Sequence, residues 1–83
     1  MKQATLQVKI YSQFHVYYEG AAETVSAISQ VGEFDILPGH ANFFTLLVAG
    51  NISIISNGKS AEMMVSQGVM QVTDNNVKVF VDI

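Results

Sequence analysis

Leu6, Val8 and Ile10 alternate with Gln7 and Lys9 near the start of the chain, a period of two that predicts a half-buried strand. The same alternation closes the sequence. Val77, Val79, Val81 and Ile83 share one face, and Phe80 points to the other, between Lys78 and Asp82. Between these ends the apolar runs are short and broken by turn formers. Phe14 to Tyr18 is aromatic and β-branched, which favours strand, and Gly20-Ala21-Ala22 reads as a bend. Thr24 to Ile28 is the next strand, with Ser29 to Gly32 as its connection. After a break at Ala49-Gly50-Asn51, Ile52 to Ser56 and Ser60 to Ser66 flank Asn57-Gly58, a dipeptide suited to a type I′ hairpin. Gly68 reads as an interruption before Val69 to Val72, and Asp74-Asn75-Asn76 as the last turn. No amphipathic helical period is present. The pattern predicts an all-β fold, a two-sheet sandwich of eight to ten short strands, with residues 1–83 forming a single domain.

The middle of the chain carries the strongest turn. Phe34, Ile36 and Leu37 lead into Pro38-Gly39, where proline presets φ and glycine supplies a positive φ. Glu33, Asp35 and His40 are expected to gather near this corner. Phe43 to Val48 follows, apolar on both faces: Phe43 and Leu47 point one way, Phe44, Leu46 and Val48 the other. Met63-Met64 adds an apolar residue on each side of its strand. A sandwich this small has one core, so the doubly apolar strands imply either cover on both sides or an apolar patch for a partner. Low charge favours the docking module.

Charged residues are 13% of the chain, against roughly 25% in an ordinary soluble domain. The basic residues are four lysines without an arginine, and the net charge is −3, so no basic stripe for nucleic acid exists. The longest apolar stretch is far short of the roughly 20 residues of a membrane-spanning helix. Met1 to Gln7 has no continuous apolar core and is not a signal peptide, which makes the cytosol the default compartment. Cysteine is absent, and His15 and His40 stand apart, so neither disulfide nor clustered metal ligands are expected. Glu33 and Asp35, two apart on one strand face, are the nearest approach to an acid–base pair. Solvated residues at a turn are the commoner case, and no enzymatic activity, cofactor or metal is expected.

Gly32-Glu33-Phe34-Asp35-Ile36-Leu37-Pro38-Gly39-His40-Ala41 resembles a motif of the epsilon subunit of F-type ATP synthase, the counterpart of the mitochondrial delta subunit. Glu19-Gly20, Glu23 and Val25 resemble that family's second and third strands. Ser66-Gln67-Gly68-Val69-Met70-Gln71-Val72 is similar to its Ser-Gly-Gly-x-x-x-Val segment, and Val77 to Val81 to its last strand. The departures are Val31 in place of an acidic or small residue, Asp35 for glycine, Asn42 for proline, and Gln67 for the first glycine of the pair.

The resemblance implies a flattened β-sandwich of the rotating central stalk, a non-catalytic subunit that docks on gamma and on the polar loops of the c-ring. Glu33 falls on the position facing the c-ring, while Ser12, His40, Phe43 and Thr45 fall on or beside positions near gamma. Gly32, Pro38, Gly39 and Gly68 correspond to turn-defining positions. The implied location is peripheral, on the cytoplasmic face of the bacterial inner membrane, without insertion into it. The family's inhibitory C-terminal helical hairpin is expected to be missing: the chain resembles short natural members without it, which favours a naturally short subunit over a cut one, and in either case it is expected to couple without inhibition through that hairpin. Weak self-association of the isolated chain is left open. The competing reading is a free-standing β-sandwich that binds a peptide or carbohydrate, with Tyr11, Tyr17 and Tyr18 as an aromatic platform.

Overall fold

The computed structural model describes residues 5–82; Met1 to Ala4 and Ile83 of the terminal strand pattern lie outside the described residues. Among the described residues nine strands run in chain order: β1 (Leu6–Tyr11), β2 (Val16–Ala22), β3 (Thr24–Ser29), β4 (Gly32–Ile36), β5 (Phe43–Leu47), β6 (Gly50–Ser56), β7 (Lys59–Val65), β8 (Gln67–Thr73) and β9 (Asn76–Asp82). They form a five-stranded sheet of order β2-β1-β9-β8-β5 and a four-stranded sheet of order β4-β3-β6-β7, hereafter the wide and narrow sheets. Every pairing is antiparallel except β1 with β9, which run parallel at the middle of the wide sheet. The all-β sandwich expected from the alternation is therefore the fold.

The period-two pattern is also the packing pattern. Leu6, Val8 and Ile10 of β1 and Val77, Val79 and Val81 of β9 are all buried. Met70, Val72, Leu47 and Ala22 join them from the wide sheet, facing Val25, Ala27, Ile36, Ile52, Ile54 and Val65 of the narrow one. At roughly 1.5–3 kcal/mol for each large side chain removed from water, this shared layer is the main source of stability in a chain without disulfides. Tyr18, Phe34, Phe43 and Met63 seal its margins, half-buried.

Three expectations about breaks are corrected. β2 begins at Val16, leaving Phe14 and His15 in the β1–β2 loop, and runs through Gly20-Ala21-Ala22 because β1 offers a full ladder of partners there. Gly50 and Asn51 open β6 rather than preceding it. Gly68 lies inside β8, not in a turn, paired with Leu47 and Val81 on either side. A Cβ at Gly68 would stand 2.8 Å from the backbone oxygen of Phe80, so glycine is needed for close backbone approach. The expected Asn57-Gly58 turn is present, with φ of 53° and 74°, the doubly positive pattern of type I′. Asp74-Asn75 repeats it with φ of 51° and 66°.

Candidate interaction surfaces

The Pro38-Gly39 corner joins the sheets. β4 is an edge strand of the narrow sheet and β5 of the wide one, so the chain changes layer here instead of folding back as a hairpin. Gly39 has φ of 87°, and the His40 amide donates to the Leu37 carbonyl at 3.1 Å, a type II turn. The corner is fastened to the β8–β9 turn: the Gly39 amide donates to Asn75 Oδ1 at 2.8 Å, and the Asp74 amide to Asn42 Oδ1 at 3.2 Å. Nδ1 of half-buried His40 lies 2.7 Å from the Ala41 carbonyl, and its ring meets Phe43 edge-on at 5.4 Å. Phe43 also meets Phe34 at 5.6 Å, closing the sandwich margin.

Glu33 and Asp35 do not join His40. They lie on the outer face of the narrow sheet, where Asp35, Ser26, Ser53 and Glu62 form one polar row across all its strands. Ser26 Oγ donates to Asp35 Oδ1 at 2.6 Å. Glu33 is paired with Ile28 near the β3–β4 hairpin, at the other end of β4 from the corner. Strand alternation sets the two carboxylates on the outer face, while the chain reaches His40 only after crossing to the other layer. Among the described residues no three His, Cys, Asp or Glu side chains group as metal ligands. No helix is long and apolar enough to cross a membrane among those residues.

The wide sheet's outer face is different. Leu46 is registered with Val69, Val69 with Phe80, Phe80 with Tyr11, and Tyr11 with Val16, giving one apolar row across every strand of that sheet. Leu46 is 60% exposed, Val16 48% and Phe80 43%. Tyr11 and Phe80 meet edge-on at 5.4 Å. Phe44 and the fully exposed Val31 of the β3–β4 hairpin extend the apolar surface past β5. Beside the row lies an open groove of about 860 Å³ whose wall includes Ser12, Tyr17, Leu46, Val69 and Phe80.

Ser12 therefore borders this groove, in the β1–β2 loop, its Oγ 3.4 Å from the Tyr17 hydroxyl. Thr45 lies on β5 on the same side as Phe43, half-buried, two strands from β9 and away from Ser12. Gly32, with φ of 125°, begins β4 directly after the hairpin tip. The tyrosines form no common platform: Tyr11 stacks on the outer face, whereas Tyr18 packs on the core and donates to the Ala21 carbonyl at 2.9 Å. Val16 and Val69 are the surface residues that sequence reasoning missed, and Tyr11, expected in a tyrosine platform, lies in this row instead. Their alternation is visible, but their alignment depends on the β1–β9 register.

The family model for the ATP synthase Delta/Epsilon chain β-sandwich domain matches residues 5–83. Similar curated relatives include the ATP synthase epsilon chains of Psychrobacter arcticus and Acinetobacter baumannii, each 39% identical over 80 residues, with 95% of this chain aligned to 58% of theirs. That of Trichlorobacter lovleyi is 29% identical over 77 residues, covering 93% of this chain and 56% of the relative. The chain thus spans a little over half the length of these relatives. Among solved structures, the Euglena gracilis mitochondrial ATP synthase assembly of OSCP, F1 and c-ring contains a chain with TM-score 0.89 and 20% identity, covering 95% of this chain and 51% of that one. The central stalk and c-ring structure of Tetrahymena thermophila mitochondrial ATP synthase gives TM-score 0.83 and 16% identity, covering 100% and 67%. At these identities the structural likeness establishes a shared fold.

Proposed function

This chain belongs to the β-sandwich family of ATP synthase delta/epsilon chains, and from that premise we propose that it is a non-catalytic rotor subunit of an F-type ATP synthase. In this reading it docks on gamma and on the c-ring loops at the cytoplasmic face of a bacterial inner membrane. Ion flow turns the ring, and the sandwich with gamma forms the rigid connection to the catalytic head. The observation that carries the proposal is the apolar row of the wide sheet, an uncovered band crossing every strand. A band of that kind is what a protein-docking face supplies.

Gamma meets the β5 side of the sandwich, through His40, Phe43 and Thr45 at the margin and Phe44, Leu46 and the row on the outer face. Ser12 contributes from the groove at the end of the row. Glu33 and the polar outer face of the narrow sheet meet the c-ring loops, where hydrated partners suit serine and carboxylate side chains. The four family departures are accommodated locally. Asn42 and Asp35 each accept a hydrogen bond, Gln67 Nε2 donates to Asp82 Oδ2 at 3.1 Å, and Val31 stands at an exposed hairpin tip. None of them disturbs the core.

The test is co-elution and calorimetry of the purified chain with gamma from the same organism, in parallel with Thr45→Arg. A one-to-one complex weakened by Thr45→Arg is the expected result. Absence of association with gamma alone and with a gamma–c-ring assembly overturns the proposal.

A further inference from the structure

The outer face of the wide sheet carries charge on both sides of its apolar row, in a self-complementary arrangement. β9 is the middle strand, and its outward residues run Lys78, Phe80, Asp82. Lys78 is registered with Lys9 on one side and Gln71 on the other, and Lys9 in turn with Glu19 of β2, so the row preceding Phe80 holds two adjacent ammonium groups at its centre and one carboxylate at the β2 edge, a net positive charge. Asp82, registered with Gln67, puts a carboxylate in the row that follows. At the middle strand, therefore, the apolar band has a positive charge on one side, at Lys78, and a negative one on the other, at Asp82.

We propose that two copies of this chain associate face to face through the wide sheet, about a two-fold axis lying along the apolar row and across the strands. Such an axis reverses strand direction while keeping each strand over its own counterpart. Phe80, Val69, Leu46 and Tyr11 then meet the same residues of the other copy, and Lys78 of each copy comes over Asp82 of the other. The alternative axis, along β9, sets Lys78 against Lys78 and Asp82 against Asp82. The charge pattern selects the first. Face-to-face sheets about 10 Å apart, with strands within roughly 30°, are an ordinary packing mode.

The size of the face sets the strength. Strands about 4.8 Å apart, with about 3.4 Å per residue, give a projected face on the order of 480 Å². A standard interface takes about 800 Å² per partner, so this pair is weak. It forms in the free chain at high concentration and yields to a larger surface that covers the same face. The inference rests on exposure and charge placement, and it stands whether or not gamma is that larger surface.

Sedimentation equilibrium of the full chain tests it, from about 10 μM to about 1 mM, the range implied by a weak interface. The weight-average mass is expected to rise from 9.0 kDa towards twice that value. Lys78→Glu and Asp82→Lys should each raise the dissociation constant about tenfold, because two-fold symmetry counts each change twice. The double variant Lys78→Glu/Asp82→Lys should restore association, with circular dichroism reporting that all variants are folded. A monomer at every concentration overturns the proposal, as does a single variant that associates like the parent or a double variant as weak as the singles.

Discussion

Across the wide sheet one register-aligned row reads Val16, Tyr11, Phe80, Val69, Leu46; across the narrow sheet one reads Glu62, Ser53, Ser26, Asp35. Both rows face away from the same core, and both belong to strands with the same alternation of buried and outward positions. Ile55 and Met64 are exposed on the narrow sheet, but singly, which is ordinary for a protein surface. On the wide sheet the apolar residues are contiguous. A high hydrophobic fraction therefore need not mean a larger core: here part of it is laid out on one outer face. That asymmetry supports the proposed placement between a dry partner and a wet one.

The comparison can be broken first at the layer the two sheets share. Ile10→Ala, at a fully buried position, should lower the unfolding free energy by about 3 kcal/mol in urea denaturation. A loss well below that would mean that the faces do not rest on one core. Next comes Gly68→Ala, which drives a Cβ against the Phe80 carbonyl beneath the apolar row. A cost of about 2 kcal/mol is expected in thermal melts, with amide shifts confined to β5, β8 and β9. Shifts spreading equally into the narrow sheet would blur the distinction.

The sharpest pair follows. Leu46 and Met64 are 60% and 64% exposed, one on each outer face. Lysine at either position should change stability by no more than about 0.5 kcal/mol. Leu46→Lys should weaken binding to gamma about tenfold, roughly 1.4 kcal/mol by calorimetry, while Met64→Lys leaves it unchanged. Equal effects would erase the proposed division of labour. The smallest effect is that of Asp35→Asn, which weakens the bond from Ser26 at a cost of about 0.5 kcal/mol by chemical denaturation and leaves gamma affinity alone.

Strand identity was legible because burial follows alternation, which is local. Leu6-Val8-Ile10 and Val77-Val79-Val81 read the same way in sequence and in structure. The Pro38-Gly39 and Asn57-Gly58 turns were legible because each needs a particular backbone geometry. Gly20, Gly50 and Gly68 misled, because a glycine that breaks a strand and one that continues it look alike in one dimension; of the three, Gly68 is the one that admits a neighbouring backbone. The contact of His40 with Phe43 follows from short spacing, whereas the expected gathering of Glu33, Asp35 and His40 failed because the corner changes layers. The apolar row was half legible. Phe80 was legible as pointing away from the valine face, and Phe44 and Leu46 as sharing one side of their strand, but which side faced outward, and their alignment with Tyr11 and Val16, depend on pairing between strands distant in sequence.

That pairing has a consequence for synthesis. β9, the last strand described, is the middle of the wide sheet and the only link between the β1–β2 hairpin and the β8–β5 pair. On the ribosome, at roughly 5–20 residues per second, the wide sheet cannot close until this strand has emerged. Until then the inner face of the narrow sheet has no layer to cover it. In this topology the wide sheet closes by insertion of β9 between partners made earlier. A nascent chain halted before β9 carries every strand of the narrow sheet but not the finished face of the wide one.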